Sequence, residues 1–329
     1  MPARSVRPWL FGSYGFLPAS VLFYVPNPPP GQRRRYHQTM PDPSWMTRRK
    51  VLQLGVAGVA GMALYSGELA RHELEVVQLT VKLANLPDAF HGFRIAQISD
   101  LHFHEYTETF FLRSVLRRVN ALRPDAVLLT GDFISNARDR TYPIAQAHVC
   151  GDILKMLECP IRYGVLGNHD SAMGETEIHH ALVSNGTPIL LNKSVPIERG
   201  GSRIWVGGLR DTLASYPEPE QAIPSKIRNP KEPVLLMIHE PDYIDELMKY
   251  PSSQSVGLVL SGHSHGGQVR LPFLPPLKAV LPPGGKKYIE GLFRVGNTQL
   301  YVNRGIGTTE VPFRLNCPPE ITVLTLEQG

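Results

Sequence analysis

The sequence predicts an α/β protein, a two-sheet α/β sandwich with a metal-binding crevice along one edge. Three observations carry that expectation. Short apolar runs alternate with segments of helical periodicity from about residue 74 onward. Five of those runs stop at Asp, Asn or His, and groups placed just past strand C-termini in an α/β sheet converge on one crevice. The side chains so placed offer oxygen and imidazole donors and no thiolate, a set that suits Mn, Fe, Zn or similar divalent ions.

Taken in order, residues 73–81 alternate with period two and read as a half-exposed strand. Residues 94–99 form a second strand ending at Asp100-Leu101-His102, and residues 108–122 carry apolar positions at helical spacing. A buried strand over 125–130 ends at Gly131-Asp132. A helix near 143–157 precedes a strand over 161–166 that ends at Gly167-Asn168-His169-Asp170. Further strands are expected over 203–207, over 234–238 ending at His239, and over 256–260 ending at Gly262-His263-Ser264-His265. Turn-rich segments at 211–232 and 270–287 read as loops over or beside the crevice. No internal repeat is present.

Composition narrows the function classes. With 42% hydrophobic and 19% charged residues in 329, the chain is neither a multi-span membrane protein nor mainly disordered. The formal charge of +5 is unevenly placed: residues 1–50 hold eight Lys/Arg against Asp42 alone, a net +7, which leaves −2 for the remainder. A near-neutral body without an aromatic-basic stripe argues against nucleic acid as a partner. Three cysteines, Cys150, Cys159 and Cys317, are too few and too irregular for a disulfide framework or a thiolate zinc site, although one Cys150–Cys159 bridge stays open.

The basic excess reads as an address. Residues 1–45 contain nine prolines and the run Arg33-Arg34-Arg35 and are expected to be a disordered upstream extension, with the natural start at Met46 or Met40. Residues 46–70 place Arg48-Arg49-Lys50 ahead of about fourteen mildly apolar, Gly- and Ala-rich positions, which resembles a twin-arginine export signal. That implies a twin-arginine translocase as export partner and an exported or membrane-associated protein, with attachment on the cytoplasmic side as the alternative. The segment is too short for a confident membrane span, and no clean cleavage triplet follows it. Residues 71–329 are then the functional domain.

The strand-end motifs Asp100-x-His102, Gly131-Asp132, Gly167-Asn168-His169-Asp170, His239 and Gly262-His263-Ser264-His265 together resemble the calcineurin-like metallophosphoesterase superfamily. Gly266-Gly267-Gln268, Gly305-Ile306-Gly307 and Pro319-Glu320-Ile321 point to the bacterial branch with an N-terminal export or membrane segment. The resemblance implies two divalent metal ions, one on Asp100, His102, Asp132 and His265 and the other on Asp132, Asn168, His239 and His263, with Asp132 bridging. It implies His169 as the acid beside the leaving group and Asp170 as the partner of its other ring nitrogen. Two ions about 3.5–4 Å apart can share a hydroxide for in-line displacement at phosphorus, so the expected activity is phosphoester hydrolysis.

The implied substrate is a phosphoester small molecule or a phospholipid- or glycolipid-like one. The apolar, Pro-rich stretch at 271–283 reads either as a wall for an acyl chain or a membrane-facing lip, or as a segment packed on the fold. Relatives of this branch make cleavage of a UDP-2,3-diacylglucosamine-type pyrophosphate, as in lipid A metabolism, a named alternative. A non-catalytic scaffold on the same fold is the rival from another class. His104 and Glu105 read as a solvated loop, His179-His180 as helix surface, and Arg304 either as a phosphate contact or as a structural pair.

Overall fold

The computed structural model describes residues 47–223, 231–271, 273–274, 276 and 281–329. The expectations for residues 1–45 and for the start codon lie outside the described residues. Two compact units divide the chain, Met1–Leu52 and Gln53–Gly329. The sandwich lies wholly in the second.

Eleven strands among the described residues form two sheets. They are β1 (Glu75–Leu83), β2 (Arg94–Ile98), β3 (Ala126–Leu129), β4 (Arg162–Gly164), β5 (Lys193–Arg199), β6 (Ser202–Gly208), β7 (Val234–Met237), β8 (Val256–Ser261), β9 (Gly291–Val295), β10 (Thr298–Val302) and β11 (Glu320–Gln328). The first sheet runs β1-β11-β2-β3-β4 and the second β5-β6-β7-β8-β10-β9. Within them β2, β3 and β4 are mutually parallel, as are β6, β7 and β8, so each set presents its C-terminal ends along one edge.

The central strands β3, β7 and β8 read as apolar runs because both their faces are covered. Alternation is still present underneath. Ile95, Leu128, Leu235, Met237, Leu258 and Leu260 point into the layer between the sheets. Their neighbours Ala96, Ile98, Val127 and Leu129 point outward onto helices. Those helices follow α1 (Arg48–Leu64) in the chain: α2 (Thr109–Leu122), α3 (Thr141–Leu154) and α4 (Asn168–Ser184). In α2 the buried positions Phe111, Leu112, Val115, Leu116 and Val119 recur at the 3.6-residue period and form its core stripe. The outer face of the second sheet is closed by Ile244, Leu247, Ala222 and Tyr288. All three cysteines are free and buried, so the Cys150–Cys159 bridge is not formed.

α1 is exposed at every position, and no helix among the described residues is long and apolar enough to cross a membrane. The chain joins the body earlier than residue 71. Ser66 and Ala70 are buried, Ser66 O accepts from Arg314 N–H at 3.0 Å, and the Arg71 guanidinium donates to Tyr106 O and Glu108.

Candidate metal centre

Every ligand position expected from the motifs sits just past the end of a parallel strand. Asp100 and His102 follow β2, Asp132 follows β3, Asn168 and His169 open α4 after β4, His239 follows β7, and His263 and His265 follow β8. Five of these residues hold the left-handed backbone conformation: Asp100 (φ 51°), His102 (42°), Asp132 (53°), His263 (71°) and His265 (49°). Non-glycine residues enter that region at a cost, and they cluster where surrounding structure holds a functional site in shape. Gly131, at φ +96°, belongs to the same turn; a Cβ there would lie 2.6 Å from His239 Nδ1, so only glycine lets the chain pass under that imidazole.

The side chains converge. His102 Nε2 lies 2.9 Å from His265 Nε2, and His265 Nε2 lies 3.5 Å from Asp100 Oδ1. Asp132 accepts the His169 backbone N–H with Oδ1 at 3.0 Å, which leaves Oδ2 facing inward. Around that oxygen stand His239 Nε2 at 3.2 Å, His102 Nε2 at 3.6 Å and His169 Nε2 at 4.0 Å. The donors fall into the clusters Asp100–His102–His265, His102–Asp132–His169 and Asp132–His239–His263.

Hydrogen bonds on the far side of each ring decide which nitrogen faces the crevice. His239 Nδ1–H donates to Thr130 O at 2.6 Å, so the neutral ring offers Nε2. His263 Nε2–H donates to Pro283 O at 2.8 Å, which leaves Nδ1 as its lone pair. His102 Nδ1 is taken by Ser135 Oγ at 2.9 Å. Asn168 Oδ1 and His239 Nε2 are buried without any hydrogen-bond partner. Orphaned buried polar atoms call for an explanation, and ions bound among these donors would satisfy them. The donor set therefore fits divalent metal.

Electrostatics point the same way. Burial, against the pull of Asp132, pushes His102 down to about 3 and His263 to about 4, and holds His265 well below its ordinary value. These three rings are neutral at pH 7 and present lone pairs. His239 behaves oppositely: burial would lower it, but the Asp132 and Asp100 carboxylates raise it well above the usual imidazole range. An ion entering beside His239 thus takes the place of a proton. Asp100 is pushed up to about 6, chiefly by burial and against the pull of His239, with Asp132 raising it further.

One expected contact is not made. Asp170 does not partner His169; His169 Nδ1 accepts from the Asn136 backbone N–H at 3.1 Å. The Asp170 carboxylate turns back instead to cap its own helix and the preceding loop, accepting from the N–H groups of Gly167 (3.0 Å), Ile134 (3.1 Å) and Phe133 (3.2 Å). Its position at the first turn of α4 explains the choice, because unpaired N–H groups gather there. Burial first, and Asp132 second, push Asp170 up to about 7 against those three bonds.

Of the secondary candidates, His104 and Glu105 are exposed, and His180 lies on the surface of α4 with His179 half-buried beside it. Arg304 is structural: it pairs with Glu320 at 2.5 Å and Glu75 at 2.8 Å. Thr130, Ser135, Asn136 and Pro283 orient the ring nitrogens and were not legible in the sequence, since three of the four act through main-chain groups.

Residues 93–267 match the model of the calcineurin-like phosphoesterase family, more than half of the chain. The chain belongs to that family. It is a metal-dependent phosphoesterase, a hydrolase of phosphoester bonds. Among curated relatives, it is 35% identical over 292 residues to an uncharacterised metallophosphoesterase, YkuE, of Bacillus subtilis, covering 86% of this chain and 98% of the relative. It is 28% identical to the phosphodiesterase YaeI of Escherichia coli, covering 85% and 99%. It is 31% identical to the UDP-2,3-diacylglucosamine pyrophosphatase LpxG of Chlamydia trachomatis, covering 73% and 86%.

Proposed function

We propose that the crevice takes two divalent ions, one on Asp100, His102, Asp132 and His265 and one on Asp132, Asn168, His239 and His263, and hydrolyses a phosphodiester or pyrophosphate bond. The observation that carries this reading is the environment of Asp132 Oδ2, a single carboxylate oxygen ringed by His239, His102 and His169 nitrogens within 4.0 Å. Bound ions would polarise the phosphoryl oxygens and lower the pKa of a coordinated water. The chain's own part is to hold and move protons. His169 accepts from Asn136 at Nδ1, so its neutral ring carries the proton on Nε2, and that nitrogen faces the crevice with 17% of the side chain open to solvent. It can therefore donate to a departing alkoxide or phosphate oxygen.

An amphiphilic substrate is supported by the rim. The loop that leaves His265 exposes Leu271, Phe273 and Leu274, and Val311 and Phe313 are exposed on the strand-like segment bridged to it through Val269 and Leu315. The loop returns to the centre through the Pro283 bond to His263. An apolar lip rooted on metal ligands at both ends suits an acyl chain beside a phosphoester, the chemistry named for the chlamydial relative. Export by a twin-arginine translocase, with α1 lying at a membrane surface, is the accompanying proposal for residues 47–64. A precursor that stays free in the cytoplasm with Arg48 and Arg49 intact would overturn that address.

The test of the lip is a pair of substrates. Leu271→Glu/Phe273→Glu should raise KM for a long-chain acylated phosphodiester by about 10- to 100-fold, the loss of roughly 1.5–3 kcal/mol of apolar contact. Turnover of bis(p-nitrophenyl) phosphate should be unchanged. Equal effects on both substrates, or none on either, would remove the amphiphile from the account.

A further inference from the structure

Arg314 is the largest fully buried side chain among the described residues. Its five hydrogen bonds all go to main-chain carbonyls and none to a carboxylate. Nε donates to Gly307 O at 3.2 Å and Nη1 to Cys317 O at 3.0 Å, while Nη2 is shared among Arg304 O (2.9 Å), Gly305 O (3.1 Å) and Gly307 O. Burying a guanidinium with no carboxylate bonded to it is costly, and this one spends every bond on two short pieces of chain, 304–307 and 317.

Both pieces support metal ligands. In the first, Ile306 N–H donates to Ser99 O at 2.9 Å and Gly307 N–H to Asp100 O at 2.7 Å. Gly305 lies flat against the Asp100 side chain, at φ +73°, where a Cβ would come within 2.6 Å of Asp100 Cβ. In the second, the Cys317 thiol donates to His265 O at 3.1 Å. Asp100 and His265 are two of the left-handed residues, they follow different strands in different sheets, and their side chains meet at 3.5 Å. One buried cation thus straps together the two loops that hold them. Asp132 and His239 have anchors of their own, on His169 N–H and Thr130 O, and the Asp100 carboxylate reaches the third residue of that cluster by accepting from His263 N–H at 3.0 Å.

We propose that Arg314 is a positioning residue for the Asp100–His102–His265 end of the crevice, setting the affinity for the ion held there without touching it. The proposal rests on the two-ion reading above. Only arginine offers five donors in a planar fork, so lysine keeps the charge but not the strap.

The experiment is Mn²⁺ titration of the full-length wild type, Arg314→Lys, Arg314→Met and Gly305→Ala, read by metal content after desalting and by electron paramagnetic resonance, with Tm recorded for each. The wild type should bind two ions per chain and give the exchange-coupled signal of a Mn pair. Arg314→Lys should bind one ion as before and the second about 10- to 100-fold more weakly, the scale for lost support behind a ligand. Gly305→Ala, which leaves Arg314 in place and presses on Asp100 from the other side, should show the same selective loss and an uncoupled signal. Those two variants decide the matter if Arg314→Met fails to fold. Folded Arg314→Lys and Gly305→Ala chains that bind both ions as tightly as wild type would overturn the proposal. A wild type that binds a single ion would overturn the two-ion reading, and the proposal with it.

Discussion

Asp132→Ala is expected to abolish phosphodiester hydrolysis and to strip the crevice of metal at both ends. Asp132 stands in two donor clusters at once. Oδ2 lies within 4.0 Å of three imidazole nitrogens, and Oδ1 accepts the backbone N–H that begins the His169 turn. Asp132 is also the first of the carboxylates that raise His239 well above the usual imidazole range, and the imidazoles in turn hold its own carboxyl well below the ordinary range. Removing it leaves His239 and Asp100 in a buried site with the attraction between the clusters gone. Losing one preorganised electrostatic group typically costs about 10²–10³ in kcat, and loss of the ions it anchors adds to that, so kcat/KM should fall by at least about a thousandfold. Metal content measured alongside turnover checks it; a variant that keeps two ions and substantial activity would show that Asp132 bridges nothing.

His169→Ala should separate chemistry from metal binding. The ring stands 4.0 Å from Asp132 Oδ2, is partly open to solvent, and is held by Asn136 in the tautomer that presents Nε2–H to the crevice. Metal content should be unchanged. The rate on an alkyl leaving group should fall by roughly 10²–10⁴, the usual contribution of a placed general acid. The loss should be much smaller on a p-nitrophenyl ester, whose leaving group needs no proton. An equal loss on both esters, with metal retained, would move His169 from proton transfer to binding.

The parts of this site that were legible in the sequence are those that parallel sheets place without further information. An apolar run ending in Asp-x-His, Gly-Asp, Asn-His-Asp or His-x-His fixes where the side chain emerges, and parallel strands bring those ends to one edge. What a ring nitrogen touches on its far side was not legible. Asp170 follows His169 directly, yet the helix geometry of α4 sends its carboxylate back to Gly167, Ile134 and Phe133. The nitrogen expected to meet it is filled by the main chain of Asn136, which leaves no trace in side-chain identity. Arg314 was missed for the same reason, because carbonyl partners have no sequence pattern. Sheet order was also hidden: β11, from the extreme C-terminus, inserts between β1 and β2, a pairing across more than two hundred residues that no local periodicity reports.

The most direct test of the account is metal depletion and restoration of the full-length protein. Chelated enzyme should hydrolyse bis(p-nitrophenyl) phosphate at least about a hundredfold more slowly than untreated enzyme, in keeping with several kcal/mol of charge stabilisation by bound ions. Added Mn²⁺ should restore the rate as the second equivalent per chain is bound. Full turnover after complete removal of metal, or no turnover with two ions bound, would contradict the reading of this crevice as a dinuclear phosphoesterase.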